Sequence, residues 1–322
     1  SLASLPDFDP NHRPGLPVRG SADDSPLFNK AIQGVYELGS TFKIFTVAQA
    51  LELELVDPKT KINTKGPIRM GGHKINDYRN NGPELPVWQV ITESSNLGTA
   101  RIAKMIGPEK QREFLSSLGF TKPTSIEMIE ASGGKPLLPK RWNELETMTI
   151  SYGHGLSATP LHLATGYATL ANGGRLVKPT LLEEEKLGLG QQIISKEVAK
   201  NSLAMLRGVV TEGTASLADV NGYFVAGKTG TADKPSAQGG YDKEKNITSF
   251  ASIFPVHEPK YVLVVTLDEA QDTSGPEPKR TAGWTAVPVS AEIIARVAPL
   301  LGLRPKFDSK SSVGVTLSNW QE

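Results

Sequence analysis

Ser40 and Lys43, in the run Gly39-Ser-Thr-Phe-Lys43, have the residue types and the spacing for nucleophilic acyl chemistry. Positions three apart are neighbours on a helix surface, so the amine is expected to reach the hydroxyl. A serine hydroxyl is a weak nucleophile, and a neutral lysine is a competent base for its proton. An ordinary lysine has a pKa near 10.4, so holding it neutral at pH ~7.4 costs roughly 4 kcal/mol unless burial or a second cation lowers that value. The spacing alone is a weak signal, because about one or two chance matches are expected in a chain of this length. A second match does occur, at Ser132–Lys135. It reads SGGK and lies in a Gly/Pro loop with no helix to hold the pair together. Ser40, by contrast, precedes a long apolar helical pattern whose N-terminus presents backbone donors.

Two more polar groups of residues can join this pair. The run ESSNLGT places Ser94 and Asn96 on a turn between two helical patterns, where a substrate amide could be held. In isolation, such a run is an N-capped turn. In GKTGT, Lys228 supplies a charge and Thr229 a hydroxyl, while Gly227 and Gly230 remove side chains that would block close backbone approach. A peptide could lie along such a strand with its terminal carboxylate on Lys228 and Thr229. The plainer alternative is a glycine-kinked edge strand with polar residues facing solvent.

Gly222–Thr229 also satisfies the Walker A pattern of a P-loop NTPase. Its central residues, Tyr-Phe-Val-Ala, read as an apolar strand, and Gly-Thr-Ala-Asp-Lys-Pro follows where a phosphate loop requires a helix. Other serine schemes fail as well. Ser40 is not in a Gly-x-Ser-x-Gly elbow and has no His/Asp partners in the required context, which leaves lysine as the base. The five histidines, His12, His73, His154, His162 and His257, lack metal-ligand spacing, and there is no cysteine, so neither a catalytic metal nor another cofactor is expected.

These residues need elements to position them. Phe42, Phe45, Val47, Ala48 and Leu51 predict a helix over 41–55 that is buried on most of its surface, with Ser40 at its first turn. Residues 56–84 read as an irregular excursion, followed by helices at 85–92 and 97–106. Thr159 as N-cap, Pro160 at the first helical position and Gly173-Gly174 as the stop predict a further helix. Another is expected over 196–210, capped by Ser195. FVAGKTGTA, ITSFASIFPV and KYVLVVTLDE predict three adjacent antiparallel strands, with a polar loop from Asp233 to Asn246. A last helix, AVPVSAEIIARVAPLLGL, would cover them. SLASLPDFDPN reads as the end of a sheet strand, so the sheet is expected to draw on both ends of the chain.

With 322 residues, the chain can bury a large core, and 38% hydrophobic and 21% charged residues fit a folded globular protein. Thirty-five basic against 34 acidic residues leave a net charge of +1, with no field to attract nucleic acid. The longest apolar run, Tyr261–Leu267, is far short of the roughly 20 residues of a membrane helix. Because the chain opens at Ser1 without a methionine, it is expected to be an excised fragment.

The ordered set Ser40-Thr-Phe-Lys43, Ser94-Ser-Asn96 and Lys228-Thr229-Gly230 resembles the motif trio of penicillin-binding proteins and serine β-lactamases. SLPDFDPN, NKAIQGVYELGSTFK, SSNLGTARIA, RWNELETMTISYGHGLSATPLHLATGYATLANGG and GYFVAGKTGTA are similar to class B transpeptidases, in detail to the division-specific type that makes septal peptidoglycan. The resemblance implies an α/β (α+β) fold with a central antiparallel sheet flanked by helices and a mainly helical subdomain. The sheet part would comprise about 1–37 and 213–303, the helical part about 40–210, and a C-terminal tail 304–322.

The resemblance further implies that Ser40 attacks the penultimate D-Ala carbonyl of a stem pentapeptide and later passes the acyl group to an amine acceptor. Lys43 would act as base and then acid, Ser94 would relay a proton, and Asn96 would hold the substrate amide. Lys228, Thr229, Gly230 and Thr231 would bind the substrate, and the backbone N–H groups of Ser40 and Thr231 would form the oxyanion hole. Lys228 would be the second cation that lowers the pKa of Lys43. β-Lactam antibiotics are implied as covalent inhibitors, cell-division and glycan-polymerising proteins as partners, and the periplasmic face of the inner membrane as the location, reached through an N-terminal anchor helix outside this chain. Leu38 stands where the family often has proline, and Ser95, central in the second motif, is expected to point away from the site. A β-lactamase and a β-lactam sensor domain share all three motifs. No match is seen to the Glu-containing loop by which class A β-lactamases deacylate.

Overall fold

The computed structural model describes residues 1–15, 22–183, 190–236, 239–307, 317 and 320. In chain order the elements begin with β1 (Tyr36–Glu37), a 3-10 turn at Gly39–Phe42, α1 (Lys43–Glu52), β2 (Lys61–Asn63), β3 (Ile68–Met70), β4 (His73–Ile75) and β5 (Glu84–Pro86). They continue with α2 (Val87–Thr92), α3 (Asn96–Ile106), α4 (Pro108–Ser117), α5 (Glu144–Ser151), β6 (Ser157–Ala158), α6 (Pro160–Ala171) and α7 (Lys196–Thr211). The last are β7 (Ala226–Pro235), β8 (Tyr241–Phe254), β9 (Tyr261–Asp268) and α8 (Ala286–Leu300).

The predicted strands of the C-terminal half form one antiparallel sheet in the order β7-β8-β9, against which α6, α7 and α8 pack. The expected Asp233–Asn246 loop is shorter than its polar composition suggested. β7 runs to Pro235 and β8 starts at Tyr241, with a register shift between Asp233 and Lys234. Backbone pairing in a hairpin needs no apolar side chains, so composition misses such an extension.

The expected N-terminal strand is absent among the described residues. Pro6 and Pro10 have no N–H for a ladder, Leu5 is 74% exposed, and Asp9 caps a 3-10 turn at Pro10–His12. The hydroxyl of Ser4 instead donates to Phe28 O and accepts from Lys30 N. All three strands of the sheet therefore come from 226–268, and β1 pairs with β6 in a separate ribbon. The excursion at 56–84 holds two small antiparallel pairs, β2 with β5 and β3 with β4. Outside 304–307, 317 and 320, the expected tail lies beyond the described residues.

Helix α1 is the centre of the core. Lys43 to Leu51 are all buried, as its nearly all-round apolar pattern predicts. Phe42, Phe45, Phe120 and Tyr167 pack ring against ring around its start. Tyr167 comes from α6, which begins where expected: Thr159 accepts from His162 N, and His162 returns a capping-box bond. Burial depresses the pKa of His162, and its Nε2 donates to Lys122 O at 2.7 Å, so this histidine is structural. α7 starts at its Ser195 cap. Gly173 and Gly174, both at positive φ, follow the end of α6.

Candidate active site

The turn carrying Ser40 is wedged against β7, and glycine makes that approach possible. Gly39 has φ +55°, a conformation costly for other residues. A Cβ on Gly39 would sit 2.9 Å from Thr231 O, and one on Gly230 would sit 2.4 Å from Leu38 O. Gly39 N donates to Gly153 O at 3.2 Å, Thr41 Oγ1 to Leu38 O at 2.7 Å, and the buried Tyr167 hydroxyl to Thr41 O at 3.0 Å. The serine thus sits at the head of a buried helix, with its backbone beside that of Thr231.

The second motif closes on the first through the chain reversal between α2 and α3. Ser94 takes φ +59°, uncommon for serine. Ser95 caps α3, its Oγ accepting from Gly98 N and donating to Asp77 Oδ2 at 2.7 Å, so it does point away from the lysines. Asp77 Oδ1 accepts from Leu97 N at 2.8 Å, and Asn96 Nδ2 donates to Asn76 O, leaving the Asn96 side-chain oxygen as an acceptor.

The hydroxyl of Ser94 lies between two lysines, with Lys43 Nζ at 3.0 Å and Lys228 Nζ at 2.9 Å. Lys43 Nζ also donates to Ser94 O. Here the structure modifies the expectation from spacing, since among the described residues the Lys43 amine is hydrogen-bonded to Ser94 and not to Ser40. Both lysines are fully buried. Burial is the main cause holding Lys43 well below the ordinary lysine value. Lys228 adds to the depression, and the Asp77 carboxylate opposes it. The second cation therefore contributes as expected, but burial ranks above it. Burial also brings Lys228 down to about 7. The arrangement can hold a neutral amine beside a hydroxyl at neutral pH, which acyl transfer from a lysine base demands.

Lys228, Thr229, Gly230 and Thr231 follow one another along β7. Thr229 Oγ1 is 2.8 Å from Thr214 Oγ1, and Thr231 Oγ1 accepts from Ala282 N at 3.0 Å. Gly227 is packed under Phe250, where a Cβ would meet the ring at 2.6 Å. The Walker-like residues end inside this strand with no helix after them, so they form no phosphate loop. The second Ser-x-x-Lys match is exposed at both ends, and the Ser132 hydroxyl donates to Ile129 O within its own turn.

Sequence reading passed over several neighbours of the site. Thr214 and Asp77 carry no motif. Nor was there a signal for Glu37, which joins three segments: it accepts from His154 Nδ1 at 3.1 Å, from Gly155 N at 2.7 Å and from the Tyr241 hydroxyl at 3.0 Å. These contacts span up to 204 positions of sequence, beyond any local pattern.

Residues 1–294 match the family model of the penicillin binding protein transpeptidase domain. The chain is 33% identical over 318 residues to a probable peptidoglycan D,D-transpeptidase FtsI of Caulobacter vibrioides, covering 95% of this chain and 52% of that protein. It is 29% identical over 306 residues to the peptidoglycan D,D-transpeptidase FtsI of Escherichia coli K12, covering 95% of this chain and 50% of that protein. The chain thus spans about half the length of these relatives. The apo TP domain of Burkholderia pseudomallei penicillin-binding protein 3 has the same fold, with a TM-score of 0.79, 33% identity, and coverage of 87% of this chain and 84% of that one. The chain belongs to the family of penicillin-binding protein transpeptidase domains.

Proposed function

We propose that this chain is the catalytic part of a serine D,D-transpeptidase that cross-links peptidoglycan stem peptides in septal wall synthesis. The observation that carries the proposal is the convergence of all three motifs on one hydroxyl, with Ser94 Oγ within 3.0 Å of two fully buried lysine amines. Residues of about 213–303, which carry the sheet, would form one wall of the cleft and helical residues of about 40–210 the other.

In the proposed cycle Ser40 Oγ attacks the penultimate D-Ala carbonyl of a stem pentapeptide while neutral Lys43 takes the hydroxyl proton. The N–H groups of Ser40 and Thr231 stabilise the oxyanion, each donor worth about 3 kcal/mol. Asn96 holds the peptide amide, and Lys228, with Thr229 and the Gly230 backbone, receives the terminal carboxylate. The carbon–nitrogen bond then breaks, the proton passes from Lys43 through Ser94 to the leaving amine, and terminal D-Ala departs. An acceptor amine attacks the Ser40 ester and gives its proton to Lys43; the ester C–O bond breaks as the amide cross-link forms, and Lys43 returns the proton to the Ser40 oxygen. Once Lys43 has taken the serine proton it donates to the Ser94 oxygen, as its Nζ does in the structure, and the Ser94 hydroxyl is turned to give its own proton to the leaving amine, which gives the relay a direction.

β-Lactams would acylate Ser40 in the same way. In the cell, the chain would work at the periplasmic face of the inner membrane beside division and glycan-polymerising proteins. The test is labelled penicillin with intact-protein mass spectrometry. One adduct that persists for many minutes and disappears in Ser40→Ala is expected, and labelling that survives the substitution rejects the assignment. Rapid release of hydrolysed drug would make the chain a β-lactamase.

A further inference from the structure

Asp77 lies outside the three motifs, just past the end of β4, yet both of its carboxylate oxygens are committed to the Ser94–Asn96 turn. Oδ2 accepts from the Ser95 hydroxyl at 2.7 Å and Oδ1 from Leu97 N at 2.8 Å. The preceding residue, Asn76, accepts from Asn96 Nδ2 at 2.9 Å. One short segment thus grips the turn on both sides of Asn96, and the turn holds Ser94 at φ +59° against both lysines. Backbone held in a sparsely populated region persists only where its surroundings over-determine it.

Resting on the transpeptidase reading, we propose that Asp77 is a positioning residue for the Ser40 chemistry: it fixes the turn on which Ser94 and Asn96 face the buried amines, and its carboxylate is the negative charge set against them. The charged groups around it are few. Lys43 faces Lys228 and Asp77, and the Asp77 charge opposes the depression of its pKa. Arg101 on α3 also feels that charge but directs its guanidinium to the carbonyls of Asn63 and Lys65. The Arg101 guanidinium is thus taken up by backbone carbonyls, and the Asp77 charge bears on Lys43.

Two substitutions separate its two effects. Asp77→Asn keeps an acceptor for Leu97 N and removes the charge, whereas Asp77→Ala removes the grip as well. The measurement is the rate of Ser40 acylation by a fluorescent penicillin across pH 5–9, on protein whose fold is checked by circular dichroism. With the carboxylate gone, the pKa of Lys43 falls further, so the acidic limb of the rate profile is expected to move to lower pH in Asp77→Asn. Asp77→Ala is expected to slow acylation by about tenfold to a hundredfold, the loss that accompanies a small misplacement of catalytic groups. A profile for Asp77→Asn that superimposes on the wild type overturns the proposal, as does wild-type acylation by Asp77→Ala. Should Asp77→Ala not fold, the Asp77→Asn profile alone decides. Absence of labelling in the wild type is a separate result, which rejects the transpeptidase reading and this proposal with it.

Discussion

Replacing Lys228 with methionine should stabilise the fold at neutral pH while abolishing acylation. Lys228 is fully buried and held at about 7, against an ordinary 10.5. Between those values the unfolded chain binds the proton and the folded chain does not, so stability climbs with pH through that window. Below pH 7 both states are protonated and the full penalty of burying the ammonium is present, about 5 kcal/mol at about 1.4 kcal/mol per pH unit. Methionine fills a similar volume without that penalty, but leaves the Ser94 hydroxyl short of one donor, a loss of about 1–3 kcal/mol. The net gain expected near pH 6 is about 2–4 kcal/mol. Because the wild type recovers with rising pH and the variant has no such group, the gain should shrink by about 4 kcal/mol between pH 6 and 10. Guanidinium unfolding of both proteins at several pH values measures it, with penicillin labelling alongside. Parallel stability curves would refute the argument, because Lys228 would then carry no depressed pKa. Failure of the variant to fold would make the lysine a structural group.

Two further perturbations test how the site is held. Gly39→Ala places a Cβ 2.9 Å from Thr231 O at φ +55°, so a stability loss of about 1–2 kcal/mol and a slower acylation of Ser40 are expected from thermal melts and penicillin labelling; unchanged values would mean the turn does not need the close approach. Glu37→Gln tests the three-way junction: burial alone would raise the carboxyl's pKa, but bonds from His154, Gly155 and Tyr241 outweigh it and hold it below 4.5. A group depressed in this way stabilises above its unfolded pKa and loses the effect as pH falls, so the variant should be weaker by about 1–2 kcal/mol at pH 7, with the gap closing below pH ~4.5; a gap constant with pH removes the charge from the explanation.

Sequence patterns located the elements whose ends carry chemical punctuation. Thr159-Pro160 and Ser195 marked helix starts because a side-chain oxygen there satisfies orphan amides, and the structure places both as N-caps. The strands of the sheet were legible from their β-branched and aromatic runs. α4 was missed because its surface is mainly polar and only Gln111 and Leu115 are buried. Pro108 at its first turn and Glu109 beside it were the available signals. The small strands of 61–86 escaped because pairs of three residues carry no periodicity to detect.

The site shows why local spacing could nominate residues but not their geometry. Ser40 and Lys43 are neighbours in sequence, yet the Lys43 amine reaches Ser94, 51 positions away, and Lys228 reaches the same hydroxyl from 134 positions away. What makes Ser40 differ from Ser132 is therefore not its own lysine spacing, which the two share, but that the chain buries Lys43 where Ser132 and Lys135 stay in water. Burial depresses the amine, and depression makes it a base. That burial depends on Gly39 and Gly230 letting the turn lie against β7, and on Asp77 holding the opposite turn in register. None of those three is chemically reactive in the scheme, so a search for reactive residues cannot find them, although without them the motif is only a serine and a lysine in sequence.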